Sequence, residues 1–289
     1  MIQDIDPYEL RNQMRFADPR PGDTVLAYRE RSLLVSSTSG QSACPAVASL
    51  TQPAELIYLF SLAGPGGEER FFLGMPQDTD PEASLAVSGY EYLPLRSLRE
   101  RRQQPLQFDF AAMTGFQLYR WYHDNRWCGR CGKRMRPDGS ERALTCDDCG
   151  NKIYPRIMPA VIVAVVDGSR ILVSRYAQGA YRGYALIAGF CEIGETAEQT
   201  VAREVMEETG VSVKNIRYYK SQPWGIASDL LLGYFCELDG SPQITLDTNE
   251  LSEAEWLDRA DMDGIEDDNY SLTREMMMRF KRADLPFLR

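Results

Sequence analysis

Gly189-Phe190-Cys191-Glu192-Ile193-Gly194-Glu195-Thr196-Ala197-Glu198-Gln199-Thr200-Val201-Ala202-Arg203-Glu204-Val205-Met206-Glu207-Glu208-Thr209-Gly210-Val211 is the stretch whose reading decides the fold. The short strand 184–188 before it runs into a glycine loop. Thr196, with Gln199 three positions on, has the pattern of a capping box and predicts a helix start. Gly210 is placed to end that helix in a left-handed backbone turn. At 100° per residue, Glu204, Glu207 and Glu208 fall within an arc of roughly 100°. Val201, Ala202, Val205 and Met206 occupy the neighbouring arc and are expected to face the core. Like charges at i,i+4 cost a helix about 0.2–0.5 kcal/mol per pair, and partial burial raises that cost. The acidic arc therefore reads either as a solvated helix face or as a seat for divalent cations. Hard carboxylate oxygens suit magnesium or manganese. The glycine loop, Glu195 and the Arg203-Glu204 to Gly210 ending favour the cation reading.

Outward from this unit, strands and helices alternate, the pattern of an α/β domain. Residues 161–166 and 171–174 predict a hairpin around Asp167-Gly168, and 216–220 and 230–236 predict further strands. Residues 271–283 predict a terminal helix packed through Met276, Met277 and Phe280. Upstream, 24–28, 32–36, 55–62 and 70–73 read as short strands, separated by turn-rich pieces such as Gly64-Pro65-Gly66-Gly67 and Asp78-Thr79-Asp80-Pro81. Asp109 is placed to cap a helix reaching about residue 125. Its apolar residues lie almost all round, which predicts burial between modules. The resulting division is a strand-rich domain over 1–125 ending in a helix, a small module over 126–155, and a catalytic candidate over 156–289.

The small module carries Cys128-Gly129-Arg130-Cys131 and Cys146-Asp147-Asp148-Cys149. Each two-residue spacing lets a pair of sulfurs turn toward one ion, and two such knuckles complete a tetrahedral thiolate site for zinc. Gly132 and Gly150 follow each second cysteine, where the chain must turn tightly. Two disulfides or redox-active pairs are the alternative, and a zinc ribbon can also grip nucleic acid. A four-thiolate site has no open position, so its expected role is structural. Such a site supplies an apparent ~10–16 kcal/mol toward ordering a small module. Cys44, Cys191 and Cys236 lack partners at ligand spacing and read as small buried hydrophobes.

The 289-residue chain has 32 basic and 42 acidic side chains, a net charge of −10. It has no broad basic face for a long polyanion, and a small anionic substrate would need a cation as mediator. One histidine, His123, disfavours a Ser-His-Asp triad and a His-rich catalytic zinc site. No run approaches the ~20 apolar residues of a membrane span, so no membrane partner is expected. The first residues lack the pattern of a secretory signal, which points to a cytoplasmic protein. The run Arg96, Arg99, Arg101-Arg102 reads as a solvated face.

The stretch 189–211 resembles the Nudix box, Gly-x5-Glu-x7-Arg-Glu-U-x-Glu-Glu-x-Gly-U with U aliphatic, at every fixed position: Gly189, Glu195, Arg203, Glu204, Glu207, Glu208 and Gly210. The resemblance implies an α/β/α sandwich with a mixed sheet, and metal-dependent hydrolysis of a nucleoside diphosphate linked to another moiety. It implies a structural ion pair between Glu195 and Arg203, with Glu204 and Glu208 as metal ligands. A four-cysteine ribbon directly before such a domain resembles the NADH pyrophosphatase (NAD diphosphatase) group, whose members act as homodimers. That group carries Ser-Gln-Pro-Trp-Pro-Phe-Pro-x-Ser; here Ser221-Gln222-Pro223-Trp224 matches and Gly225-Ile226-Ala227-Ser228-Asp229 departs. The departure removes two prolines and an aromatic, and adds negative charge at Asp229 near an anionic substrate.

By the same resemblance, Phe190 would stack on the nicotinamide end, and Glu141, Tyr154, Thr273 and residues 222–229 would contact substrate. Arg96 or Arg99 would match a substrate arginine, and the spacing does not choose between them. Glu250 and the Ala188 carbonyl would complete the magnesium or manganese ligands. Glu207 or Glu208 would position or deprotonate the attacking water. The implied reaction splits NAD or NADH into AMP and a nicotinamide mononucleotide. Its rivals are ADP-ribose hydrolysis, removal of an NAD cap from RNA, which would need only a local basic groove, and a non-catalytic NAD- or RNA-sensing protein.

Overall fold

The computed structural model describes all residues except 39–40, 52–53, 77–84, 101–103, 179–182 and 286–289, and only the backbone of 37–38, 41, 76 and 98–100. The expected turn over 78–81, Arg101-Arg102 and the Arg99 side chain thus lie outside the described residues. The chain divides into two compact units, Ile2–Arg156 with Gly225–Ala227, and Ile157–Trp224 with Ser228–Arg289 and Met1.

The first unit opens with strands β1 (Glu9–Arg11), β2 (Thr24–Leu26), β3 (Tyr28–Arg29), β4 (Ser32–Thr38), β5 (Gln41–Ala43), β6 (Ala54–Gly64), β7 (Gly67–Pro76) and β8 (Glu91–Pro94). They form one sheet ordered β1-β6-β7-β2 and a second ordered β3-β4-β5 with β8 on β4. Gly64 pairs with Gly67 across the β6–β7 hairpin, so the expected turn there is the shortest kind, two residues long.

Helix α1 (Leu95–Glu100) is followed by α2 (Leu106–Asp124), which starts earlier than expected. Pro105 is the N-cap, and Asp109 lies buried in the first turn rather than capping it. Proline fixes the extended entry, so the first turn forms on Leu106 onward without a side-chain cap. The helix is buried nearly all round, from Phe110 to Tyr122. A Cβ at Gly115 would strike Leu26 and the Tyr28 hydroxyl, and that hydroxyl donates 2.7 Å to the Ala112 carbonyl. The helix thus lies directly on β2 and β3. Short strands β9 (Arg136–Pro137), β10 (Leu144–Thr145) and β11 (Lys152–Ile153) complete this unit as a three-stranded ribbon.

The second unit contains β12 (Met158–Asp167), β13 (Arg170–Tyr176), β14 (Ile187–Phe190), α3 (Ala197–Thr209), β15 (Val213–Trp224), β16 (Asp229–Leu238), β17 (Leu251–Asp258) and α4 (Leu272–Lys281). The sheet order is β15-β16-β12-β13-β17, with β14 also on β12. β12 and β16 run parallel and the other pairs antiparallel, so the sheet is mixed. β12 is apolar on both faces because both are covered. Val161, Val163 and Val165 join Val201 and Val205 of α3 in one core. Ile162, Ala164 and Val166 join Leu272, Met276, Met277 and Phe280 of α4 in the other. The result is an α/β/α sandwich. β15 runs twelve residues, well beyond the expected 216–220, and carries the Ser221-to-Trp224 segment within it.

Candidate active site

Helix α3 begins as its sequence predicts. The Thr196 hydroxyl accepts from the Gln199 amide at 3.2 Å, and the Gln199 side chain accepts from the Thr196 amide at 2.8 Å. It ends at Gly210, whose φ of 68° is left-handed. The face it buries differs from the expectation. Ala202 and Met206 point outward, and the inward stripe is Val201, Glu204, Val205 and Glu208, an i, i+3, i+4, i+7 set. Glu204 is 8% exposed and Glu208 4%. Two carboxylates thus take core-facing positions that apolar pattern assigns to Ala202 and Met206.

Gly189 explains how they fit. It lies within β14, opposite Val161, rather than in a loop as expected. A Cβ built on it would fall on the Glu204 carboxylate. Here glycine supplies empty space above the strand, not an unusual φ. Gly189→Ala is expected to displace that carboxylate and lower kcat by ten- to a hundredfold, since a shift of about 1 Å at a reacting centre can cost 10²-fold. Steady-state kinetics on the folded variant checks this.

Arg203 holds the acidic cluster in place with all five of its N–H donors. Its Nε donates to Glu195 at 2.7 Å and one Nη to Glu195 at 2.9 Å and to the Phe190 carbonyl at 3.0 Å. The other Nη donates to Glu204 at 2.7 Å and Glu207 at 3.0 Å. The bidentate guanidinium contact holds the Glu195 carboxyl down at about 2. Desolvation acts the other way on the buried pair. It raises Glu204, and lifts Glu208 to about 8, helped by the charges of Glu204, Glu250 and Asp247 and opposed by a hydrogen bond from the Ala188 backbone.

Glu250 lies exposed on the loop between β16 and β17, its carbonyl accepting from the Ala177 amide at 2.9 Å. The same loop donates the Asp247 amide to the Glu208 carbonyl at 3.0 Å. Asp247, which the sequence reading passed over, therefore belongs to this acidic neighbourhood. Nothing in an irregular loop's composition announces where it docks. The oxygens of Glu204, Glu208 and Glu250 do not all lie within 4.8 Å of one another; among the described residues only the four cysteines form such a group. Buried, mutually repelling hard-oxygen donors are nevertheless the donor set a magnesium or manganese ion fits. Phe190, 48% exposed at the end of β14, offers an open ring beside this cluster.

The end of β15 and the turn that follows it are more structural than expected. Gln222 is fully buried, its amide nitrogen donating to the Tyr270 carbonyl and its oxygen accepting from the Leu272 amide, both at 2.8 Å. It pins the start of α4 to the sheet. Gln222→Ala would strand both backbone groups and is expected to cost about 1–3 kcal/mol, read as a lower Tm with little change in KM. Pro223 is exposed, and Trp224 packs edge-on to Tyr270 at 6.0 Å. A Cβ at Gly225 would strike the Met113 carbonyl of α2, so this departure from the family motif meets a steric need. Ile226 and Ala227 are half-buried. Ser228 adopts a φ of 68°. Asp229 is 7% exposed with one carboxylate oxygen lacking a hydrogen-bond partner, and burial pushes it up to about 6.

In the ribbon, Glu141 accepts from Lys152 at 2.8 Å and from the Tyr154 hydroxyl at 3.1 Å. These two expected substrate contacts thus meet each other, with the Tyr154 ring 57% exposed. Thr273 is half-buried in the first turn of α4, and Arg96 is exposed on α1.

The four cysteines form a built site. Cys128 and Cys149 sulfurs lie 3.6 Å apart and Cys131 and Cys146 sulfurs 3.5 Å apart, with all four thiols free. That spacing is near the ~3.8 Å edge of a tetrahedron with 2.3 Å zinc–sulfur bonds. The knuckles are copies of one another. The Gly132 amide donates to the Cys128 carbonyl at 2.8 Å and the Gly150 amide to the Cys146 carbonyl at 2.9 Å. The Cys128 and Cys146 amides in turn donate to the Lys133 and Asn151 carbonyls at 2.7 and 2.9 Å. The donor set fits structural zinc, and disulfides are absent.

Comparison with known proteins agrees with this geometry. The NUDIX domain profile matches residues 156–280, and that of the NADH pyrophosphatase zinc ribbon domain matches 123–154. A protein of Erwinia tasmaniensis named NAD-capped RNA hydrolase NudC is 38% identical over 61% of this chain and 67% of its own length. Proteins of the same name from Salmonella typhi and Escherichia coli are 43% identical, over 55% and 50% of this chain. The matches span 62% and 56% of those two proteins, less than two thirds of their length. A solved Nudix hydrolase of Nitrosomonas europaea aligns at TM-score 0.48 and 21% identity, over 56% of this chain and 93% of its own, too loosely to carry an argument. An α/β/α sandwich with this glutamate-bearing helix is a Nudix domain, and the four-cysteine module before it is a zinc ribbon. The chain belongs to the Nudix hydrolase family, with the zinc ribbon of the NADH pyrophosphatases.

Proposed function

We propose that the chain hydrolyses the pyrophosphate of NAD or NADH, giving AMP and a nicotinamide mononucleotide. The observation that carries this is the burial of Glu204 and Glu208 side by side on the inward face of α3, where two carboxylates have no purpose in packing. Magnesium or manganese bound there would neutralise the pyrophosphate and favour ionisation of the attacking water. Glu204 and Glu208 would hold the ion, with Glu250 and the Ala188 carbonyl as further ligands. Arg203 keeps the Glu204 and Glu207 carboxylates in fixed positions, so little reorganisation is needed when substrate arrives. Glu207, exposed beside them, or Glu208 takes the proton from water as its oxygen attacks one phosphorus and the anhydride bond to the other phosphate breaks. The exposed Phe190 ring gives a base a surface on which to stack.

A second substrate, the NAD cap of an RNA, is supported by the names of the relatives and would use the same centre. The reading also carries a homodimer, which sedimentation can test. The deciding experiment incubates the protein with NADH, NAD, ADP-ribose and NAD-capped RNA in magnesium or manganese and weighs the products. Release of AMP and a nicotinamide mononucleotide from NADH or NAD is expected. No metal-stimulated product from any of the four would overturn the assignment.

A further inference from the structure

Between Arg126 and Arg136 the sequence places Arg126, Arg130, Lys133, Arg134 and Arg136 with no acidic residue, in a chain of net charge −10. The fold gathers part of this run around a pocket of about 400 Å³ within the first unit, between β6, the end of α2 and the ribbon. That volume suits a nucleotide-sized ligand. Its lining combines buried apolar Ile57 and Leu144 with three arginines, Arg126, Arg134 and Arg136, against one carboxylate, Glu55. Arg136 is held by Asp147 at 2.6 Å. The side chains of Arg126 and Arg134 form no ion pair among the described residues. Trp127 is 64% exposed, an unusual position for the largest apolar side chain. Trp127 and Arg134 face each other in an antiparallel bridge, so their side chains leave the same side. His123 and Tyr122 of α2 also line it.

An open indole beside uncommitted guanidinium groups in a pocket with apolar lining is the arrangement that single-stranded nucleic acid recognises: bases stack on the ring and phosphates meet the cations. We infer that this pocket is a binding site for single-stranded RNA, taking a base against Trp127 and the adjoining phosphates on Arg126 and Arg134. The site shares no residue with the glutamate centre, and it holds RNA whether or not that centre turns over NAD.

The test uses the zinc-loaded 289-residue chain and a short fluorescein-labelled oligoadenylate, with binding read by anisotropy across a salt series. Arg126→Glu with Arg134→Glu is expected to weaken binding at least about tenfold, and to flatten the salt dependence by about 1.4 in log–log slope for two lost phosphate contacts. Trp127→Ala is expected to weaken it about tenfold. AMP should bind at least about tenfold more weakly than the oligomer. Zinc content and NADH turnover, measured on the same variants, should stay at the parent level. Arg134→Glu alone, on an exposed side chain, keeps the test standing if the double variant does not fold. Unchanged affinity in these variants would overturn the proposal, as would AMP binding as tightly as the oligomer, which would mark a mononucleotide site. Binding is read without turnover, so a failure here leaves the hydrolase assignment untouched.

Discussion

Glu208→Gln is expected to lower turnover about a thousandfold, some ~4 kcal/mol of lost transition-state stabilisation, while leaving the fold intact. Glutamine keeps the shape and loses the anionic oxygen that a divalent cation needs. The same substitution should stabilise the metal-free protein at alkaline pH. Glu208 stands at about 8 in the folded chain, raised by desolvation and then by Glu204, Glu250 and Asp247, against about 4.3 for an unfolded glutamate. Between those values the folded state holds the extra proton, so stability falls as pH rises. The contribution is fully present below about 4.3, and its loss is complete above about 8, at no more than ~1.4 kcal/mol per pH unit. Melting without added magnesium, with the ribbon zinc retained, should therefore show Tm dropping between pH 6 and pH 8 in the parent and much less in Glu208→Gln. Added magnesium should restore the parent and not the variant. Full turnover by a folded Glu208→Gln protein would remove Glu208 from the catalytic centre.

Removal of zinc should have the largest effect on structure. The ribbon over 126–155 has three strands of two residues each and few buried side chains, among them Cys128, Met135, Leu144 and Cys146. So little apolar burial cannot order thirty residues, whereas a four-thiolate zinc supplies an apparent ~10–16 kcal/mol. Cys146→Ser, whose sulfur is wholly buried, should lose the metal and open the module. Limited proteolysis is then expected to cut first between Cys128 and Tyr154. Far-ultraviolet circular dichroism should keep the signal of the α/β/α unit, which has its own two cores. A protein that stayed resistant there after chelation would show that packing alone holds the ribbon.

Much of this architecture was legible because it rests on local chemistry. The capping box at Thr196, the glycine stop at Gly210 and the paired CxxC knuckles each follow from short-range hydrogen bonding or ligand spacing, and each is present in the structure. What the sequence hid depends on contacts made at a distance. Hydrophobic pattern points Ala202 and Met206 inward, because it ranks residues by affinity for oil. The chain instead turns Glu204 and Glu208 inward, which the Nudix-box resemblance implies and hydrophobic pattern does not, and Gly189, whose missing side chain makes room, is the local trace of it. Gln222 is expected to contact substrate through the resemblance of Ser221-Gln222-Pro223-Trp224 to the family motif, and in the structure its amide bridges two backbone groups nearly fifty positions away. Asp109 looked like a cap because it precedes an apolar run, yet Pro105 had already set the entry. Asp247 and the pocket beside Trp127 arise where separate segments meet, which no periodicity encodes.

Strand β12 has a consequence of another kind. Its odd-numbered valines from 161 to 165 serve the layer under α3, and its even-numbered residues from 162 to 166 serve the layer under α4. One inserted residue near Ala160 would exchange these two sets downstream, giving each helix the other's footing. Size-preserving swaps within either set can drift freely, but length in this strand cannot. Gains and losses of residues during the descent of such chains should therefore gather in the connecting loops and spare this central thread.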